Sequence, residues 1–160
     1  MSVPYAVVFR GMLITDVKYK VSSTTITTVG KFNKNVSNQC IGIVFDFTDI
    51  ANYKYFRFSK SSTQIGEYKS GVSTVYSTSS AVWSFNTYYT LKVIVSPIGL
   101  VQGYVNNSKI CEYNFNIVPL EKPTGVLYEF PTGGYGDVNY DSFLIGEGSG
   151  VIYDPYIEMK

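Results

Sequence analysis

Gly42-Ile43-Val44-Phe45-Asp46-Phe47-Thr48-Asp49-Ile50-Ala51-Asn52-Tyr53-Lys54-Tyr55-Phe56-Arg57-Phe58 contains two extended runs around a polar turn. In the first run Ile41, Ile43, Phe45 and Phe47 alternate with Gly42, Val44 and Asp46, the period of two that defines a strand. The turn spans Asp49 to Asn52, and both of these residue types tolerate tight turns and bond their own backbone. In the second run Phe56 and Phe58 alternate with Tyr53, Tyr55 and Arg57. If the two phenylalanines face a core, the two tyrosines and the arginine face away from it. The stretch predicts a hairpin.

The same period recurs along the chain. Val17, Tyr19 and Val21 alternate with Lys18 and Lys20; Leu91, Val93 and Val95 with Lys92 and Ile94; Tyr113, Phe115 and Ile117 with Asn114 and Asn116. Turn residues separate the runs, among them Gly30, Ser70-Gly71, Ser96-Pro97, Asn106-Asn107 and Gly133-Gly134. No apolar pattern of helical period is sustained anywhere. Short strands punctuated by turns predict an all-β sandwich or barrel. The hydroxyl-rich stretches Thr24 to Thr28 and Ser77 to Ser80 read as solvent-facing strand and loop. No repeat and no linker divides the 160 residues, so a single domain over 1–160 is expected.

Composition narrows the chemistry. The chain has no histidine, which excludes a Ser-His-Asp triad, a Cys-His dyad and a His-ligated zinc or iron site. Thirteen basic against twelve acidic residues leave a net charge of +1 and no electrostatic footprint for nucleic acid. No apolar run approaches the ~20 residues that span a bilayer, so membrane insertion is not expected. Met1-Ser2-Val3-Pro4 lacks a basic start, and Arg10 and Gly11 interrupt Tyr5 to Ile14, so no signal peptide is read there. Cys40 and Cys111 could form one bridge; two buried thiols is the favoured reading.

A succession of segments is more specific than alternation alone. After the opening hairpin come Phe85-Asn86-Thr87-Tyr88-Tyr89-Thr90-Leu91-Lys92-Val93, Gly103-Tyr104-Val105-Asn106-Asn107-Ser108, Thr124-Gly125-Val126-Leu127 and Asn139-Tyr140-Asp141-Ser142-Phe143. This order resembles the concanavalin-A-like lectin/glucanase superfamily, in particular its laminin-G-like and carbohydrate-binding jelly rolls. It covers about residues 40–145, leaving 146–160 as an extended tail that Pro155 keeps to an edge. Tyr88 stands where that group usually has Trp, Asn107 where it has Gly, Tyr140 where it often has Phe, and Ser142 where it has Asn. The resemblance implies a two-sheet antiparallel jelly-roll sandwich.

It also frames the candidate sites. Hydrolases of this superfamily carry an E-x-D-x-x-E strand, and this chain has none; the nearest acidic pairs are Asp46 with Asp49 and Asp137 with Asp141. Glycoside hydrolysis needs two carboxylates about 5–9.5 Å apart, so no enzyme is expected. The resemblance nominates calcium at Asp141, with Asp137 and Asp16 as companions, though a structural hydrogen-bonding Asp141 is the favoured reading. A sugar platform needs an aromatic ring flanked by amides or an arginine. Tyr53, Tyr55, Arg57, Trp83, Tyr128 and Tyr135 are the candidates, Tyr135 because it sits in Gly133-Gly134-Tyr135-Gly136. The leading expectation is a lectin-like module that binds a glycan or glycoprotein. The alternative is a structural or adhesive protein of a virion or cell surface, which self-associates through exposed edges or an apolar patch.

Overall fold

The computed structural model describes residues 8–18, 23–36, 38–116, 122–131 and 137–147. They form strands β1 (Val8–Lys18), β2 (Thr24–Phe32), β3 (Cys40–Asp49), β4 (Asn52–Ser59), β5 (Ser62–Lys69), β6 (Val72–Ser80), β7 (Tyr88–Val95), β8 (Leu100–Val105), β9 (Ser108–Asn114), β10 (Pro123–Pro131) and β11 (Val138–Glu147). No helix occurs among the described residues. Two antiparallel sheets result, one ordered β1-β10-β3-β4-β5-β6 and the other β11-β2-β7-β8-β9. The fold is the two-sheet antiparallel sandwich expected from the sequence.

The turns show why the chain reverses where it does. Asn106 and Asn107 both take left-handed backbone, at φ 48° and 66°, the geometry that a two-residue hairpin between right-twisted strands requires. Asn106 then ties the turn to β7, its Oδ1 accepting from the Thr90 N–H at 2.9 Å. Ser70 and Gly71 repeat the left-handed pair between β5 and β6. The two neighbouring hairpins interlock there, the Gly71 N–H donating to the Ala51 carbonyl at 2.9 Å.

Ile41, Ile43, Phe45, Phe56, Phe58, Ile65, Leu91, Val93, Val95 and Val126 fill the space between the sheets. The opening hairpin therefore sends its phenylalanines inward, as alternation predicts. β2 departs from expectation. Thr24 and Thr28 are buried rather than solvent-facing, and Thr28 donates to the Ser142 carbonyl at 2.6 Å, beside the irregularity in β11. Tyr140 uses the hydroxyl that a Phe would lack. It reaches from β11 into the other sheet, accepting from the Gly42 N–H at 3.0 Å and donating to the Leu127 carbonyl. Cys40 and Cys111 are buried free thiols, not a bridge. The expected tail beyond Glu147 lies outside the described residues.

Candidate functional site

A second cluster lies on the outer face of the six-stranded sheet, away from the core between the sheets. It contains Cys40, Val44, Tyr53, Tyr55 and Leu127, with Met12, Ile14, Phe47 and Tyr68 packed against it. The cause is the alternation itself: inward Phe56 and Phe58 put Tyr53, Tyr55 and Arg57 of β4 outward. In β5 the cross-strand partners of these three are Tyr68, Gly66 and Gln64.

Arg57 is the centre of this face. Its Nη1 donates to Glu129 Oε2 at 2.7 Å and its Nε to Gln64 Oε1 at 2.8 Å. Its guanidinium carbon lies 4.8 Å from the centroid of the Tyr55 ring. The Cys40 thiol adds a contact to the same Glu129 oxygen at 3.3 Å. Burial is the largest single influence and opposes the charge on Arg57, but Glu129 together with Cys40, Tyr55 and Tyr68 outweighs it and holds the guanidinium above its ordinary pKa. The Tyr55 hydroxyl is pushed up, chiefly by burial. Gly66 is required here because a Cβ would lie 2.5 Å from that hydroxyl.

The expected sugar platform takes a different form. Tyr53 and Tyr55 do face outward, yet they are 2% and 0% exposed. Tyr53 is stacked on Tyr68 at 4.9 Å and tilted against Phe47 and Tyr55, and Tyr55 is covered by Arg57. Their rings form the floor beneath Arg57, with no free face for a pyranose. Arg57, Gln64 and Tyr68 are open to solvent in part, as are Phe47, Met12 and Ile14 at the margin of the cluster.

The other candidates are dispersed. Trp83 lies inside the sandwich, stacked on Phe32 at 4.2 Å, because the segment after β6 folds back onto the end of the core. Tyr128 points between the sheets with Val126 and Phe130, over Gly11, whose missing Cβ leaves room for its ring. Tyr135 lies outside the described residues. Asp141 is exposed beside the irregularity in β11. Asp137 accepts from Asn33 Nδ2 at 3.1 Å. Asp16 falls where the register of β1 shifts, and its side chain lies outside the described residues. Among the described residues no three acidic or cysteine side chains converge as a metal-ligand set.

Of the acidic pairs, Asp49 caps its turn, accepting from the Ala51 N–H at 2.7 Å and from Asn52 Nδ2 at 2.9 Å. Asp46 pairs with Lys54 and, at 3.5 Å, with Lys122. Glu129, Gln64, Tyr68 and Cys40 were not among the sequence candidates. Gln64 was within reach, because a tight β4–β5 hairpin sets it opposite Arg57. Glu129 was not, because it lies 72 residues from Arg57. Among the described residues the most exposed aromatic rings are elsewhere, Phe85 and Tyr88 in and after the β6–β7 connection, with Lys31 Nζ 4.9 Å from the Tyr88 ring centroid.

No protein-family description and no curated protein sequence matches this chain. Solved structures do, at low identity. A carbohydrate-binding module, CBM66 from Bacillus subtilis, superposes with a TM-score of 0.72 at 10% identity, over 87% of this chain and 82% of its own. The potassium-bound carbohydrate recognition domain of Emp46p gives 0.65 at 9% identity, over 87% and 78%. Galectin-Va of Xenopus laevis gives 0.60 at 12% identity, over 86% and 94%. The class defined by these matches is the concanavalin-A-like β-sandwich.

Proposed function

We propose that the chain is a non-catalytic, lectin-like carbohydrate-binding module, and that its ligand surface is the outer face of the six-stranded sheet around Arg57, Gln64 and Glu129. One observation carries this reading. An Arg–Glu ion pair whose side chains are only 19% and 7% exposed sits on an outer sheet face, where a fold needs no charge. Burying such a pair costs about as much as the attraction returns, so it adds little to stability beyond an apolar pair. Held by Glu129, Gln64 and the Tyr55 ring, the guanidinium keeps a fixed orientation. It presents N–H donors for hydroxyl groups, with the Gln64 amide beside it. Preorganised donors of this kind lower the ordering cost of binding a polar ligand.

The similar structures whose descriptions name carbohydrate binding support the class of ligand. Support for a binding role over hydrolysis comes from the carboxylates. Asp46, Asp49, Glu112, Glu129 and Asp137 are each engaged by a lysine, an arginine, an amide or a backbone N–H. A glycan or glycoprotein is the partner this reading proposes.

A glycan-array screen of the purified chain, with calcium and with chelator, tests the reading. A reproducible hit that Gln64→Ala and Arg57→Lys each weaken by roughly tenfold is expected, the loss of about one hydrogen bond to a charged or polar group. Loss of the hit in chelator would add a metal near Asp141. A blank in both conditions, or a hit indifferent to both substitutions, overturns the proposal.

A further inference from the structure

Alternation along β2 leaves Thr25, Thr27, Val29 and Lys31 half-exposed on the outer face of the five-stranded sheet, on the far side of the sandwich from Arg57. Lys31 lies opposite Tyr88 of β7, and Lys92 of β7 lies between Thr27 of β2 and Tyr104 of β8. Each lysine is held in the same way. Lys31 Nζ is 4.9 Å from the Tyr88 ring centroid and donates to Asn86 Oδ1 at 3.2 Å. Lys92 Nζ is 4.6 Å from the Tyr104 ring centroid and donates to Asn107 Oδ1 at 3.5 Å. The two asparagines come from separate turns, and both take left-handed backbone, at φ 58° and 66°.

A ring and an amide restrict a side chain that otherwise samples many rotamers, so less ordering remains to be done when a ligand binds. Neither partner neutralises an ammonium. Among the described residues no carboxylate pairs with Lys31 or Lys92, whereas Lys54, Arg57, Lys109 and Lys122 each meet one. Of the carboxylates on this sheet, Glu112 is engaged by Lys109 and Gln102. Asp141 and Glu147 belong to β11, which β2 separates from Lys92. The face therefore offers two oriented cations whose charge is left for a ligand.

We propose that the face around Lys31 and Lys92 is a binding site for an acidic polysaccharide, a sugar chain that carries carboxylate or sulfate groups. Each ammonium takes one anionic group as a charge-assisted hydrogen bond. Between the two lysines, Thr27 and Thr90 supply hydroxyls for the uncharged parts of the sugars, and the Asn86 and Asn107 amides border the site. The charge spacing selects this ligand. Tyr88, the partner of Lys31, is four residues from Lys92, about 13 Å of strand. That matches anionic groups set apart along a sugar chain. A nucleic-acid strand carries a phosphate about every 3.4 Å and calls for a denser row of cations. The site is on the opposite sheet from Arg57, so it is independent of the ligand proposed there.

Titration calorimetry of the purified chain in about 20 mM and about 200 mM NaCl tests it. The probes are an oligogalacturonate, a heparin-derived oligosaccharide and a single-stranded DNA of matched charge. Lys31→Gln/Lys92→Gln removes the two ammoniums. Lys60→Gln/Lys69→Gln removes two exposed lysines elsewhere and controls for net charge. At low salt one or both acidic oligosaccharides are expected to bind, more weakly at high salt. The Lys31/Lys92 variant should lose roughly tenfold or more in affinity, with an unchanged far-UV spectrum and melting temperature, and the Lys60/Lys69 variant should bind as the wild type does. The tighter of the two oligosaccharides identifies carboxylate or sulfate as the group recognised. Absence of binding by both at low salt overturns the proposal, as does affinity retained in the Lys31/Lys92 variant or lost equally in the Lys60/Lys69 variant. DNA bound as tightly as the oligosaccharides overturns the assignment to a polysaccharide. A loss confined to Gln64→Ala places the ligand on the Arg57 face and overturns it as well.

Discussion

Arg57 is stabilised from several directions, and the consequence of removing it depends on what remains. Truncation to alanine removes the guanidinium that lies 2.7 Å from Glu129, whose side chain is 7% exposed. A hydrogen bond to a charged group contributes about 1.5–3 kcal/mol, so urea denaturation of Arg57→Ala is expected to show a loss of that size. The double substitution Arg57→Met/Glu129→Leu removes both charges and should recover most of it. Equal losses in the single and double variants would show that packing, not charge, governs the site. Elsewhere a single atom changes a residue's role. Tyr140 differs from the phenylalanine its position often holds by one hydroxyl, and that oxygen reaches Gly42 and Leu127.

At the scale of elements, the turns carry the clearest consequences. The Asp49 carboxyl is held below its usual value of 3.8, first by the Asn52 amide and then by the Ala51 N–H. The Glu112 carboxyl on β9 is held below 4.5, chiefly by Lys109. A carboxyl whose folded pKa is depressed contributes stability above its unfolded pKa and loses it as pH falls through the folded one. The melting temperature is therefore expected to be flat with respect to these two groups above about pH 5 and to fall as pH drops through 4.5 and 3.8 and below. Asp49→Asn should flatten part of that fall, measured by calorimetry in low salt. The Asn106-Asn107 turn was legible because left-handed backbone restricts residue type. The edge position of β6 was not legible: Ser77 to Ser80 read as solvent-facing strand and loop, and only the order of the sheet puts β6 at its end.

For the whole molecule, the contact between the two sheets decides cohesion. Tyr140→Phe keeps the ring and removes the bonds that cross from β11 to β3 and β10. It leaves the Gly42 N–H and the Leu127 carbonyl without that partner in a buried position. The expected loss is about 1–3 kcal/mol in chemical denaturation, the desolvation cost of groups left unsatisfied, with β structure unchanged by circular dichroism. A neutral substitution would mean that water or the ladder takes over those groups.

The sequence by itself determined the strand content, the inward set of the opening hairpin and the asparagine turn. Each of these follows from a period of two or from the φ of one or two residues, which neighbours along the chain control. It also placed Tyr53, Tyr55 and Arg57 on one face together. Only the tertiary structure decided what that face is. Alternation assigns a side chain to one of two faces but says nothing of what lies beside it, and burial is set by strands distant in sequence. Tyr55 became a floor because Arg57 lies over its ring, and Arg57 is held by a glutamate on β10, brought beside it through β3. Trp83 went inside because the far end of the core had room for it against Phe32. Such contacts depend on long-range pairing, and no local pattern records them.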